Sequence, residues 1–383
     1  MPSKINIVTN ILIILFITKV GAQSSPLQIG DSLFAQGNFT KAIEKYSEIE
    51  HQIIVYHKIA NAYKSLGNYD KSLKYYQKSI DSHTENALIK YEFGKLLILT
   101  KNYNQASNIF NNLISIDNEN PNYHYNLGLI LEHQKDSTAQ ISFKKAFRLD
   151  STHQKAIYKI AKFHMIKRKH KTANRFVDIG LKSFANNKSL INIKAQNFFL
   201  QKKHKDASKW FEKLIELGES TQFIHEKLSF CYKRLSDYQK AIIHQKKALE
   251  FDTKNAENLY LLGLLYSGLH DFEKAEKYIK ESLMIQDTPL DEQYIKLGVI
   301  YNHQKKKKEA IGALKRAVSE NHLNQEANYI LLLTKDSYYK DIDARIKLFE
   351  KFKKKFPNSK FRNQVDYKIS ELKEKKFFNE KED

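Results

Sequence analysis

Apolar residues recur along the chain with a helical period, in short bursts separated by polar breaks. Tyr56, Ile59, Ala60 and Tyr63 fall at i, i+3, i+4 and i+7, one stripe on one helix. Gly67-Asn68-Tyr69 interrupts the pattern, and Ser72, Leu73, Tyr76 and Ile80 form a second stripe. A glycine just past a helix end suits the left-handed backbone required there. The predicted unit is therefore two helices joined by a tight turn. Each helix is about a dozen residues, marginal alone in water, so packing has to hold it.

The unit repeats. Small residues stand at Ala42, Ser72, Ala106, Ala139, Ala173, Ala207, Ala241, Ala275, Ala310 and Ala344, at intervals of 30, 34, 33, 34, 34, 34, 34, 35 and 34 residues. Twelve residues ahead of most of them runs a second ladder: Gly30, Ala60, Gly94, Gly128, Ala161, Ala195, Ser229, Gly263 and Gly298. A fixed interval of this kind marks an array in which each unit packs on its neighbours. Small residues let helix backbones approach. Leu127 with Leu131, Leu262 with Tyr266, and Phe110 and Phe143 fill the remaining space.

The Leu127-Gly128 and Leu262-Gly263 pairs fit a known pattern. So do the turns at Gly37-Asn38-Phe39, Gly67-Asn68-Tyr69, Asn102-Tyr103, Asp237-Tyr238 and Asp271-Phe272. With the small pairs Ala241/Ala248 and Ala310/Ala317, the chain resembles the tetratricopeptide repeat family over residues 23–356. That resemblance implies an all-α fold, an α-solenoid of about nine to ten tandem helix-turn-helix repeats forming a right-handed superhelix. The family's boundary proline is mostly missing, with only Pro121 near one, and the fourth repeat is one residue short in its turn. His164, Lys194 and Gln245 place polar groups at expected core positions, which points to looser packing or a bend in repeats five to seven.

Both ends differ from the array. Lys4, the apolar run Ile5 to Ile17 and the small residues Val20-Gly21-Ala22 make residues 1–22 read as a secretory signal peptide. The run is shorter than the roughly 20 residues that span a bilayer; an uncleaved anchor is the alternative. Cys231 is the one cysteine, which excludes an internal disulfide and fits a packing role. A leader without disulfides predicts export to a bacterial periplasm or cell surface, and the chain resembles exported members of the family from Bacteroidota. In residues 357–383, Val365, Ile369 and Leu372 form a thin apolar stripe, predicting a capping helix and a frayed tail.

Composition narrows the class. Twelve Gly and five Pro in 383 residues are too few for a loop-rich β architecture. Abundant Lys, Asn, Ile and Tyr match an AT-rich genome. No glycine-rich phosphate loop, nucleophile elbow or paired-His zinc motif is present, and His225-Glu226 lacks a second His because position 229 is Ser. No catalytic residue, metal or cofactor is predicted. His164, on an apolar face, reads as a packed core residue.

The resemblance implies a groove lined by first helices. Counting the Gly/Ala ladder as position eight, positions five and nine face the ligand. Position five holds His57, Tyr91, Tyr125, Tyr158, Asn192 and Tyr260; position nine holds Asn61, Lys95, Lys162 and Gln196. Tyrosine gives wide contact area at low entropy cost and lysine attracts carboxylates. A protein or peptide partner with acidic and apolar side chains follows; the alternative is that the tyrosines pack sideways between helices. Glu92 stands where a carboxylate clamp of this family requires Asn, which argues against that clamp.

Net charge is +21. Lys167, Arg168, Lys169 and Lys171, then Lys202, Lys203 and Lys205, then Lys305, Lys306, Lys307 and Lys308 occupy the helix-to-helix turns of repeats five, six and nine. Stacked turns would form a basic edge that attracts acidic partners or an anionic membrane surface, with nucleic acid ranked behind them. The same runs also read as ordinary solvated turns. The leading functional expectation is a non-catalytic protein-protein interaction scaffold binding in the groove. The alternatives are a polyanion or membrane-surface binder, and an accessory subunit of an envelope assembly or transport complex.

Overall fold

The computed structural model describes residues 25–82, 85–285 and 290–382; the signal-peptide reading of residues 1–22 falls outside them. Among the described residues the regular structure is entirely helical, and the fold is an all-α solenoid. The helices are α1 (Pro26–Ala35), α2 (Phe39–Ser47), α3 (Tyr56–Ser65), α4 (Tyr69–Ser82), α5 (Ala87–Leu99), α6 (Tyr103–Ile116) and α7 (Pro121–His133). They continue as α8 (Ala139–Leu149), α9 (Gln154–Ile166), α10 (His170–Ser183), α11 (Lys188–Leu200), α12 (His204–Glu216), α13 (Gln222–Arg234) and α14 (Tyr238–Phe251). The last seven are α15 (Ala256–Gly268), α16 (Phe272–Ile285), α17 (Asp291–His303), α18 (Lys307–Glu320), α19 (Gln325–Asp336), α20 (Ile342–Lys355) and α21 (Arg362–Glu382). Odd-numbered helices up to α19 open a hairpin and even-numbered ones close it. The contacts divide the chain into two units, Met1–Ser183 and Phe184–Asp383.

Inside each hairpin the two ladders meet. A methyl group added at Gly94 would lie 2.8 Å from the Phe110 ring, and one at Gly128 would lie 2.6 Å from Phe143. The close approach therefore requires the missing side chain. In the second hairpin the ladder residues bond directly, the Ser72 hydroxyl donating to the Ala60 carbonyl at 2.7 Å.

The turns share one geometry. Gly37, Gly67, Lys101, Lys135, Arg168, Lys202, Ser236, His270 and Lys305 all adopt positive φ. The next residue's N–H then reaches back to the helix, as Asn102 to the Leu97 carbonyl at 2.8 Å and Lys203 to Phe198 at 3.0 Å. This closes orphan carbonyls at the end of the first helix. Side-chain-bearing residues hold that conformation at a disadvantage of roughly 1 kcal/mol against glycine.

Repeat boundaries rest on asparagine where the family's proline is absent. Asn86, Asn187, Asn255 and Asn324 cap first helices, accepting from Ile89, Leu190, Asn258 and Ala327 N–H at 3.1, 3.2, 2.9 and 3.0 Å. Each such cap contributes about 1 kcal/mol. The one-residue deletion in repeat four is absorbed by its second helix: α8 has 11 residues where α6 and α10 have 14. The polar core positions are packed. His164 stacks on Phe176 at 5.9 Å although its buried Nδ1 has no hydrogen-bond partner, the Lys194 ammonium lies 4.2 Å over Trp210, and Gln245 is hydrogen-bonded. On α21, Val365 and Leu372 are buried in a cluster with Phe349, Phe352 and Phe356.

Candidate functional site

Two positions distinguish repeat seven. Four residues after the small residue of the second helix, other hairpins carry a ring or a branched aliphatic: Tyr46, Tyr76, Phe110, Phe143, Val177, Phe211, Ile279 and Leu314. Repeat seven has Gln245 there, and its first helix holds Ser229, a hydroxyl in place of Gly or Ala, in the ladder. Both are buried. A buried amide is unfavourable without hydrogen bonds, so its partners must come from the next hairpin.

They do. Gln245 Nε2 donates to Asn258 Oδ1 at 3.0 Å, Asn258 Nδ2 donates to Glu226 Oε1 at 3.0 Å, and Gln222 Nε2 donates to the same oxygen at 2.8 Å. The chain of amides and one carboxylate ties α14, α15 and α13 together. Beside it the first helices α11, α13 and α15 enclose a cleft of about 440 Å³. Phe199, Phe230, Leu261 and Leu265 supply its apolar lining, with the two phenyl rings 5.3 Å apart. Lys227 and Lys233 supply positive charge, the Lys227 ammonium lying 5.0 Å from the Phe199 ring and 5.2 Å from Phe223.

Lys233 is the electrostatic centre of the cleft. Burial holds its ammonium below the usual lysine pKa, and the neighbouring charges of Lys296 and Arg234 push the same way. On the first helices of repeats two and three, by contrast, Lys64 and Lys95 share Glu92 at 3.0 and 2.9 Å. Among the described residues Lys233 has no ion pair. A partly desolvated cation without a counterion is stabilised by any anion that reaches it.

Behind the cleft lies a histidine pair. His225 Nδ1 and His244 Nδ1 are 3.0 Å apart, and His225 Nε2 is 2.9 Å from Ser220 Oγ. Burial, then the neighbouring His225, holds His244 down at about 4. Both rings are therefore neutral at neutral pH, one donating its Nδ1 proton to the other. Among the described residues no group of three or more His, Cys, Asp or Glu could hold a metal ion. The cleft offers apolar surface, amides, the cations of Lys227 and Lys233 and the carboxylates of Glu226 and Glu257, which are means of binding.

Residues 63–129 match one tetratricopeptide repeat family model, and residues 224–255 and 256–289 match another. These segments of the chain are tetratricopeptide repeats. Tetratricopeptide repeats in general present extended surfaces for protein interaction. Solved structures with this fold include a tetratricopeptide repeat protein from Parabacteroides merdae, 16% identical, covering 63% of this chain and 97% of its own, with a TM-score of 0.47. Yeast Tom70 is 15% identical over 92% of this chain and 96% of its own, TM-score 0.38. YrrB, described as a TPR protein with an unusual peptide-binding site, is 17% identical over 57% and 96%, TM-score 0.35. A search of the curated proteins found no match.

The tetratricopeptide positions singled out in the sequence lie mostly in the first unit. His57 and Asn61 are on α3, Tyr91 and Lys95 on α5, Tyr125 on α7, and Tyr158 and Lys162 on α9; Tyr260 is on α15. All five rings are half-buried. Tyr91 meets Phe110 edge-on at 6.0 Å and lies 5.8 Å from Tyr123; Tyr125 lies 5.8 Å from Phe143 and 5.2 Å from His153. Among the described residues no ring contact joins Tyr91, Tyr125 and Tyr158 to one another. Burial pushes the Tyr125 and Tyr260 phenols up to about 12. Lys95 and Lys162 each sit over their own repeat's tyrosine, at 5.2 and 5.8 Å. Asn61 accepts from the Tyr76 hydroxyl at 2.5 Å.

Of the basic turn residues, Lys167, Arg168, Lys169 and Lys171 belong to the first unit. Lys202, Lys203, Lys205 and Lys305 to Lys308 belong to the second. Lys306 pairs with Glu276 at 3.2 Å and Lys307 donates to Asn302 at 3.3 Å. The remainder are solvent-facing without an ion pair among the described residues. The cleft itself escaped sequence reasoning. Its signal was Gln245, which sequence reasoning takes as a polar core position in a looser repeat, together with Ser229 in the small-residue ladder.

Proposed function

We propose that the protein is a non-catalytic interaction scaffold whose cleft between repeats seven and eight takes a partner's extended segment. The segment carries an acidic group for Lys233 and an apolar side chain for Phe230, Leu261 and Leu265. The observation that carries this reading is the half-buried, unpaired Lys233 beside an apolar cavity. A cation facing water alone would have no reason to be desolvated, and a cavity without charge would not select its ligand. Tyr91, Tyr125 and Tyr158, with Lys95 and Lys162, are the second candidate surface, supported by their half-exposure on the first helices. An exported location belongs to the same proposal, and N-terminal sequencing of the mature protein tests it.

Selection of a displayed random-peptide library on the whole chain tests the binding reading. The expected outcome is enrichment of peptides with an acidic residue near an aromatic or aliphatic one. Lys233→Glu should weaken the best of them by about tenfold or more, as loss and reversal of one partly buried charge contact would. Unchanged affinity after Lys233→Glu, together with loss after Tyr91→Ala and Tyr125→Ala, would move the site to the first unit.

A further inference from the structure

The cleft leaves one regular feature of the second unit unused, the edge formed by its helix-to-helix turns. Successive turns touch. His204, in the repeat-six turn, packs on Phe230 at 5.6 Å and feels the charge of Arg234. Tyr238, opening α14, covers the end of α15 so closely that a methyl group on Gly268 would lie 2.5 Å from its ring. Phe272, opening α16, stacks on His303 at 4.8 Å. The turns of repeats six to nine therefore make one continuous edge.

Two kinds of side chain line it. Leu200, Leu235 and Leu269 end the first helices, or directly follow them, and remain 55%, 42% and 41% exposed. The turn of repeat six adds Lys202, Lys203 and Lys205, and that of repeat nine adds Lys305 and Lys308, all exposed and, among the described residues, without an ion pair. Between them Asp237 and Asp271 serve as caps, accepting from the N–H groups of Lys240 and Lys274 at 3.1 and 3.2 Å, and Asp206, Glu273 and Glu309 in the first turns of the second helices leave the edge basic mainly at its two ends. Lys202 and Lys305 adopt positive φ, where glycine would be unstrained, so conformation did not select them. A cation at a helix C-terminus gains from the helix dipole, but that accounts for none of the leucines. The first unit repeats the combination independently: Leu99 precedes Lys101, and Ile166 precedes Lys167 and Arg168, with 59% and 64% of the aliphatic residue exposed.

We propose that the turn edge of repeats six to nine docks on an anionic lipid bilayer, the leucines entering the interface and the lysines lying among the headgroups. Exposed aliphatic side chains flanked by lysine are what an interfacial lipid site requires. This surface is separate from the cleft and does not depend on what the cleft binds.

Co-sedimentation of the full chain with vesicles tests the proposal, using phosphatidylcholine alone or with about one third phosphatidylglycerol. The expected result is partition at least about tenfold greater onto the anionic vesicles, falling steeply with salt. The triple variant Leu200→Ser, Leu235→Ser, Leu269→Ser should lose about tenfold with its salt dependence kept, since one apolar contribution is removed from each of three turns. These positions are exposed, and unchanged circular dichroism will show that the fold is retained. Lys202→Gln, Lys203→Gln and Lys205→Gln should flatten the salt dependence. Absence of vesicle binding, equal binding to neutral vesicles, or wild-type binding by the leucine variant would overturn the proposal. So would tighter binding of a single-stranded oligonucleotide that ignores the leucines.

Discussion

Repeats four and seven share the same two-helix plan and differ in one packed socket, Gly128 with Phe143 against Ser229 with Gln245. In repeat four, Phe143 closes over Gly128, and its ring contacts would be only 2.6 Å from an added methyl. In repeat seven, Gln245 stands where the ring would be and reaches forward to Asn258 at 3.0 Å. The first arrangement completes its core within one hairpin. The second draws its hydrogen-bond partners from the following hairpin, and the cleft lies at that junction. A repeat array can thus place a binding site by changing the chemistry of one socket while leaving the backbone repeat intact.

The sharpest way to break this comparison is to empty both sockets. Phe143→Ala should lower unfolding stability by about 4 kcal/mol, the usual effect of deleting a buried ring, measured by urea denaturation. Gln245→Ala should be milder, by about 1–2 kcal/mol, because it removes hydrogen bonds and little apolar volume. Equal losses would mean that repeat seven is packed as an ordinary core. Overfilling gives the next effect. Gly128→Ala should destabilise by about 2 kcal/mol, since the rigid Phe143 ring must move, whereas Ser229→Ala in repeat seven should stay within about 1 kcal/mol.

The histidine pair sharpens the comparison through pH. His244 is held at about 4, below its ordinary 6.5, by burial and then by His225. Glu212 opposes the shift and Lys240 adds to it, while Lys247 and Glu250 face His225. The unfolded chain binds the proton first as pH falls, so the stability from this site is complete above pH 6.5. It is lost between pH 6.5 and 4. After discounting for partial exposure the loss is on the order of 1–2 kcal/mol. Thermal unfolding of the His244→Phe variant should show a flatter profile over that window than the parent. The smallest expected effect lies in the turns. Lys202→Gly relieves a positive-φ residue and should stabilise the second unit by about 1 kcal/mol, read as a higher denaturation midpoint.

Most of the architecture was legible in one dimension because it is periodic. The Gly94 and Ala106 type of ladder marks where backbones touch, and the Tyr56 to Tyr63 stripe marks which face is buried. Cys231, read as a packing residue, is fully buried with its thiol pushed up to about 12. The asparagines at 86, 187, 255 and 324 are helix caps, a role that the abundance of Asn does not reveal. The cleft was not legible for a physical reason. Gln245 is a defect until Asn258 is known to face it, 13 residues on, and Asn258 needs Glu226, 32 residues back. A periodic pattern shows that neighbouring repeats touch. It does not show which polar atoms meet across the junction.

Hydrogen exchange of the whole chain, with and without the tightest acidic-apolar peptide from the library selection, tests the central claim most directly. If the repeat-seven junction is the site, amides of α13 and α15 gain protection on binding, and Gln245→Leu with Lys233→Glu abolishes the gain. Protection confined to α5, α7 and α9, or spread over the second helices, would contradict it.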